Sequence, residues 1–189
     1  MQLLKDRIVN EGRVLPGNVL KVDGFLNQRM DIDLLNALGA EWRARYEGEN
    51  ITKILTIEAS GIGIACIAAQ HFGVPVVFAK KTKSMPGLDQ LDSKVVSYTH
   101  GGVYNVVVPS AFISADDRVL IIDDFLANGS ALEALIKICR KAGATVVGAG
   151  VAVEKAFQGG GERIRATGVR VESLARVNFS EDGKITFAE

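Results

Sequence analysis

Cysteine and histidine are scarce in this sequence, with two of each among 189 residues. Cys66 and Cys139 lie far apart in apolar surroundings, ACIAA and KICRK. That usage excludes a disulfide scaffold and points to reduced core thiols in a reducing compartment. His71 and His100 stand at no ligand spacing from cysteines or acids, so both read as packing or surface residues rather than metal ligands. An excess of either charge is also missing: Lys+Arg and Asp+Glu are both 22, for a formal net charge of zero. Without a global field, an anion has to be bound by local geometry. No apolar run nears the roughly 20 residues needed to cross a bilayer. The opening MQLLKDRIVNEG is too polar for a signal peptide. A cytoplasmic protein with no membrane partner is the expectation. Repeats, low-complexity tracts and linkers are absent, and the Walker A phosphate signature occurs nowhere.

What is present is ordinary globular composition, 48% hydrophobic and 23% charged, in a chain suited to a single domain over 1–189. Leu3, Leu4 and Ile8 predict a short amphipathic helix ending at Gly12. Residues 14–31 are rich in turn formers and read as loop and short strand. Asp31 or Asp33 caps a helix through LLNALGAEWRARY, with Trp42 in its core face. After Gly48 come four near-continuous apolar runs, KILTIEASGIG, GVPVVFAKK, DRVLIIDD and ATVVGAGVAVEK. Such runs suit parallel strands covered on both faces. Helical segments, GIACIAAQHF and SALEALIKICRKAG, separate most of them, so the expected fold class is α/β with a doubly wound, mainly parallel sheet. Residues 81–116 form a long polar insertion in which KVVSYT and VYNVVV meet at Gly101-Gly102. A hairpin inserted at that place reads as a functional flap.

Ligands of open parallel sheets bind beyond the carboxyl ends of the strands. One such end is VLIIDDFLANGSA, residues 119–131. Four apolar residues run into Asp123 and Asp124, then into Ala127-Asn128-Gly129-Ser130-Ala131 and a helix. A small-residue loop at a helix N-terminus presents backbone N–H groups suited to a phosphate monoester. Adjacent carboxylates would repel that phosphate; they suit the vicinal hydroxyls of a sugar or, through water, Mg²⁺. Together these features describe a ribose 5-phosphate. A second end, Gly61-Ile62-Gly63-Ile64-Ala65-Cys66, nearly fits a dinucleotide fingerprint. Its last position is wrong, however, and the next strand ends in Lys80-Lys81 where an acid would hold the ribose.

The DDFLANG segment resembles the signature of type I phosphoribosyltransferases. LKVDGFLN (20–27), TIEASGI (56–62), VPVVFAKK (74–81), DDFLANG (123–129) and VEKAF (153–157) together are similar, in order and over nearly the whole chain, to the xanthine branch of that purine family. Asn128 and Ala131 depart from the family, many of whose members carry Thr there. The resemblance implies a homodimer that uses Mg²⁺, held mainly by substrate and water, and phosphoribosyl pyrophosphate. It implies a small hood, mainly residues 1–36 plus C-terminal residues, and a flap at about 83–106. Asp123 and Asp124 would serve the reacting ribose, and residues 127–131 its 5-phosphate. The backbone of Ala59, Ser60 and Gly61 would face pyrophosphate, in a loop that in relatives often holds a non-proline cis peptide. Lys81 would bind pyrophosphate, a lysine of this kind often reaching the neighbouring subunit's site. Leu20 would cover the base, Asn27 would read the 2-oxo group, and Lys155 would donate to the 6-oxo group, a pairing poorly matched to adenine's amino group. The implied reaction makes xanthosine 5'-monophosphate. Guanine or hypoxanthine stays open as the base, since an Asn amide can turn over. So does a transcription regulator on the same fold, although residues 1–50 hold seven Lys/Arg against eight Asp/Glu and no clustered basic face.

Overall fold

The computed structural model describes residues 1–84, 87–96 and 102–188. Helix α1 (Gln2–Glu11) buries Leu4 and Ile8 one turn apart, and the Gly12 N–H closes it on the Ile8 carbonyl. A small antiparallel hairpin follows, β1 (Arg13–Leu15) with β2 (Val19–Lys21). One π-helical turn, Asp23–Asn27, then buries Phe25 and Leu26. In α2 (Ile32–Arg45) the Asp31 carboxylate accepts from the Leu34 N–H at 3.1 Å, and Arg43 and Arg45 in the last turn complement the dipole. Leu34, Leu35, Leu38 and Trp42 of α2 are buried; Trp42 is fully so, as its place in the helical pattern predicts.

The main sheet has eight strands. Its parallel centre is β3 (Lys53–Ile57), β4 (Val76–Thr82), β7 (Arg118–Leu126), β8 (Thr145–Lys155) and β9 (Val171–Phe179). Strands β5 (Gln90–Val96) and β6 (Val103–Pro109) pair antiparallel from Gln90↔Pro109 to Val96↔Val103. Antiparallel β10 (Ile185–Phe187) ends the other edge, for the order β10-β9-β8-β7-β3-β4-β6-β5. The expected antiparallel pair therefore extends the sheet through β4; residues 97–101, His100 among them, lie outside the described residues. Helices α3 (Ser60–Phe72), α4 (Ser130–Lys141) and α5 (Gly160–Arg165) complete the chain. Alternation along the strands sorts the apolar side chains into two cores. Leu120, Ile122 and Ala152 pack with α1, α2 and α3, whereas Val119, Ile121 and Val151 pack with α4.

Three expectations need correction. β9 adds a fifth central strand, invisible as an apolar run because its VESLARVNF sequence carries Glu172 and Arg176, whose side chains are held by ion pairs. β7 continues past its acids to Leu126, so the carboxylates belong to the strand and do not follow it. Cys139 is a core thiol, its pKa pushed up to about 12 by burial, but Cys66 is exposed on the face of α3 opposite Ile64, Ala65 and Ala68. His71 is a packing residue, as expected. A side chain at Gly39 of α2 would meet its imidazole at 2.6 Å, so the close crossing of α2 and α3 depends on that glycine.

Candidate active site

Asp123 and Asp124 are buried, 7% and 9% exposed. Their side chains are close enough to hydrogen-bond to each other. Asp123 lies under the start of α3, where a methyl group on Gly61 would come within 2.9 Å of its Oδ1. Asp124 accepts from the Asn27 amide at 3.2 Å. Burial, then the adjacent Asp124 charge, push the Asp123 carboxyl well above the usual carboxylate range, with Lys81 opposing. Tyr104 on β6 is raised by burial and by the Asp123 charge.

Beyond β7, Gly129 takes φ 83°, a left-handed value favouring glycine, and delivers the chain into α4. The Ser130 N–H donates to Asn128 Oδ1 at 3.0 Å, so this turn is held by its own side chain. Ala127, Asn128 and Ala131 are half-buried around it. Behind the loop stands α5: the Arg163 guanidinium donates to the Asn128 carbonyl.

The loop between β3 and α3 contains a cis peptide at Glu58-Ala59, with Ala59 exposed and Ser60 opening the helix. Glu58 Oε1 accepts from the Lys81 N–H at 2.6 Å, tying this loop to β4. Lys80 and Lys81, adjacent in sequence, take different faces of β4. Lys81 is near enough to Asp123 of its own chain to lower that acid's pKa. Lys80 takes the other face of β4, 5.9 Å from the Phe78 ring. There it lines a groove of about 610 Å³ with Lys53, Pro75, Phe78 and Phe112, which contains none of the site residues named so far.

At the hood side, Leu20 is buried on β2 and Asn27 ends the π-helical turn. Lys155 ends β8 with its ammonium 5.1 Å from the Phe125 ring. Burial lowers the Lys155 pKa, and the Asp124 charge opposes that fall. Asn27, Asp124, Phe125 and Lys155 therefore converge. Phe125 was missed in the sequence, although its place one residue after the acids was a usable signal. Glu154, which with Lys155 ends the fourth apolar run of the sequence, is 1% exposed and accepts from Arg165 at 3.0 and 2.7 Å and from the Ser173 hydroxyl. Nothing local announces those partners.

Among the described residues no group of three or more His, Cys, Asp or Glu is arranged to hold a metal ion. A two-carboxylate site does fit Mg²⁺ carried by a phosphate substrate, because this hard cation keeps several waters and needs few protein ligands.

The phosphoribosyl transferase domain family matches residues 30–180. A xanthine phosphoribosyltransferase of Lachnoclostridium phytofermentans is 56% identical over 99% of this chain and 98% of its own. One of Bifidobacterium longum is 57% identical over 99% of both chains. Among solved structures, an APRTase from Giardia lamblia complexed with 9-deazaadenine covers 92% of this chain and 97% of its own, at 24% identity and a TM-score of 0.77. An adenine phosphoribosyltransferase from Rhodothermus marinus covers 93% and 99%, at 24% identity and a TM-score of 0.75. At that identity the structures speak for the fold alone, whereas the two xanthine phosphoribosyltransferases match at 56% and 57% identity over nearly the whole chain. The chain belongs to the phosphoribosyltransferase family and, within it, to the group of the xanthine phosphoribosyltransferases.

Proposed function

We propose that this chain is a purine salvage enzyme that transfers 5-phosphoribosyl from phosphoribosyl pyrophosphate to N9 of xanthine, releasing xanthosine 5'-monophosphate and pyrophosphate. The observation that carries this reading is the convergence of Asn27, Lys155 and Asp124 beside the 127–131 loop. Base-reading groups and a phosphate loop lie at the two ends of a carboxylate pair.

In the reaction the C1–O bond to pyrophosphate breaks with its electron pair going to the leaving oxygen, the C1–N9 bond forms with inversion, and the N9 proton passes to the departing pyrophosphate or its water. Residues 127–131 hold the 5-phosphate with backbone N–H groups. The Ala59-Ser60-Gly61 backbone and Lys81 face the pyrophosphate. Asp124 accepts from the ribose hydroxyls and sets negative charge beside an oxocarbenium-like sugar. Asp123, with its raised pKa, is suited to donate as a neutral acid below that pKa and to accept above it. Mg²⁺, when bound with the donor, neutralises the departing pyrophosphate. The protein forms no covalent bond; it positions and stabilises charge. The hood residues Leu20 and Asn27 cover the base, and the β5–β6 hairpin is the flap that limits water.

A homodimer is part of the proposal. Its support is the groove with exposed Phe78 and Phe112 on the Lys80 face of β4, apolar surface that a second copy would bury. A cytoplasmic location is supported by two free thiols; no described helix is long and apolar enough to cross a membrane.

One assay tests the activity: pyrophosphate release with phosphoribosyl pyrophosphate, Mg²⁺ and each of xanthine, guanine, hypoxanthine and adenine. Xanthine is expected to give the highest kcat/KM. Guanine or hypoxanthine ahead of xanthine would replace the substrate, and no release with any base would overturn the reaction.

A further inference from the structure

The 127–131 loop can present its N–H groups outward only if its carbonyls turn back into the protein, where each needs a partner or a tightly packed neighbour. Helix α5 fills that place. A methyl group on Gly160 would lie 2.5 Å from the Asn128 carbonyl carbon and 2.7 Å from the Gly129 nitrogen. A side chain at Gly161 would in turn come within 2.5 Å of the Glu154 carboxyl carbon. Two consecutive glycines thus sit between the phosphate loop and a buried carboxylate. Three residues past Gly160, the Arg163 guanidinium donates to the Asn128 carbonyl. Two residues further, Arg165 grips Glu154 with two hydrogen bonds. Glu154 is the residue before Lys155 on β8.

We propose that α5 is a positioning latch: Glu154 and Arg165 anchor it to the strand that carries Lys155, and Gly160 and Arg163 press it against the phosphate loop. The latch sets the distance between the purine end and the 5-phosphate end of the site, and Arg163 adds a positive charge behind the loop. Glu154, Gly160, Arg163 and Arg165 are positioning residues for the proposed transfer; none needs to touch a substrate. The inference rests on the activity proposed above only for its kinetic consequence. Its structural consequence, a phosphate loop held from behind, stands by itself.

Arg163→Ala is the first variant to make, because Arg163 is exposed and its loss leaves the core intact. Amide hydrogen exchange at residues 127–131 should quicken by about tenfold or more, with the central strands unchanged. In turnover, KM for phosphoribosyl pyrophosphate should rise by about tenfold while KM for xanthine stays within about twofold. Arg163→Lys, which keeps a donor and the charge, should recover part of both effects. Gly160→Ala should raise the donor KM in the same selective way in a folded protein. Unchanged exchange at 127–131 in Arg163→Ala overturns the latch, whatever the kinetics. A rise in both KM values together with a lower Tm would show general destabilisation and also overturn it. If the wild-type chain releases no pyrophosphate, the activity reading fails, while the exchange comparison still decides the latch.

Discussion

Lys155 carries the sharpest consequence at the scale of single residues. Its ammonium is half-buried over Phe125 and feels the Asp124 charge. A charge-assisted hydrogen bond from it to a 6-oxo group would contribute about 1.5–3 kcal/mol. Lys155→Ala should therefore lower kcat/KM for xanthine by roughly tenfold or more, since about 1.4 kcal/mol is a factor of ten. Adenine should gain relative to xanthine, and steady-state kinetics with both bases checks it; equal losses would remove Lys155 from base recognition. Asp123 gives a prediction of a different kind. Its folded pKa is raised, so between the unfolded value of about 3.9 and the folded one the native state binds more protons than the unfolded chain. Stability should then fall as pH rises through that window. Asp123→Asn keeps the shape of the neutral acid and should flatten the fall and raise Tm at neutral pH. Thermal unfolding of both proteins from about pH 4 to 8 measures this. Replacing both acids by Asn should abolish most turnover and leave circular dichroism intact, because an amide fits the buried polar positions that the carboxyls occupy.

Glu154 belongs to the scale of elements, for it joins β8, α5 and β9 through Arg165, Ser173 and Arg176. Burial alone would raise its pKa; the bonds from Arg165 and Ser173 outweigh that and hold it below the usual carboxylate value. The sign is opposite to that of Asp123. Its stabilisation is complete above the unfolded pKa, about 4.3, and is lost as pH falls through the lower folded value. Breaking a buried pair from one side costs about 3–5 kcal/mol. Glu154→Ala should lose stability of that order at neutral pH, and its acid limb should be shallower than the wild type's. Urea titrations at pH 7 and at about pH 3 would expose the difference. A loss that is the same at both pH values would mean that the carboxylate charge contributes nothing.

For the whole molecule, the alternation of Lys80 and Lys81 separates two roles that their adjacency in sequence runs together. Lys81 faces the Asp123 of its own chain, and Lys80 faces the groove with Phe78 and Phe112. If that groove is where two copies meet, Phe78→Asp should shift the chain toward monomer in light scattering, while circular dichroism stays unchanged. Subunit mixing gives a second reading. Lys81→Ala mixed with the double Asn variant of Asp123 and Asp124 should recover no activity, since both defects then fall in one site. Recovery in demonstrated mixed dimers would mean that Lys81 serves the partner's site instead.

The four apolar runs, the Asp31 cap, the flap hairpin and the acid pair followed by a small loop were legible because each is a local pattern. Period, capping and turn chemistry act over a few residues, and neighbours in sequence carry them. The resemblance to a known family supplied Leu20 and Asn27, which no local pattern singles out, whereas Lys155 stood out as the end of an apolar strand run. What the tertiary structure alone decided lies in contacts between distant segments. Asn27 meets Asp124 across 97 positions, and Arg163 meets the Asn128 carbonyl across 35. Strand alternation sent Lys80 and Lys81 to different faces, once the sheet had settled which face was which. β9 escaped notice because its charged positions are neutralised by partners on α2 and α5. A sequence records which groups a chain carries; burial and long-range pairing decide which of them share a site and how strongly each holds its proton.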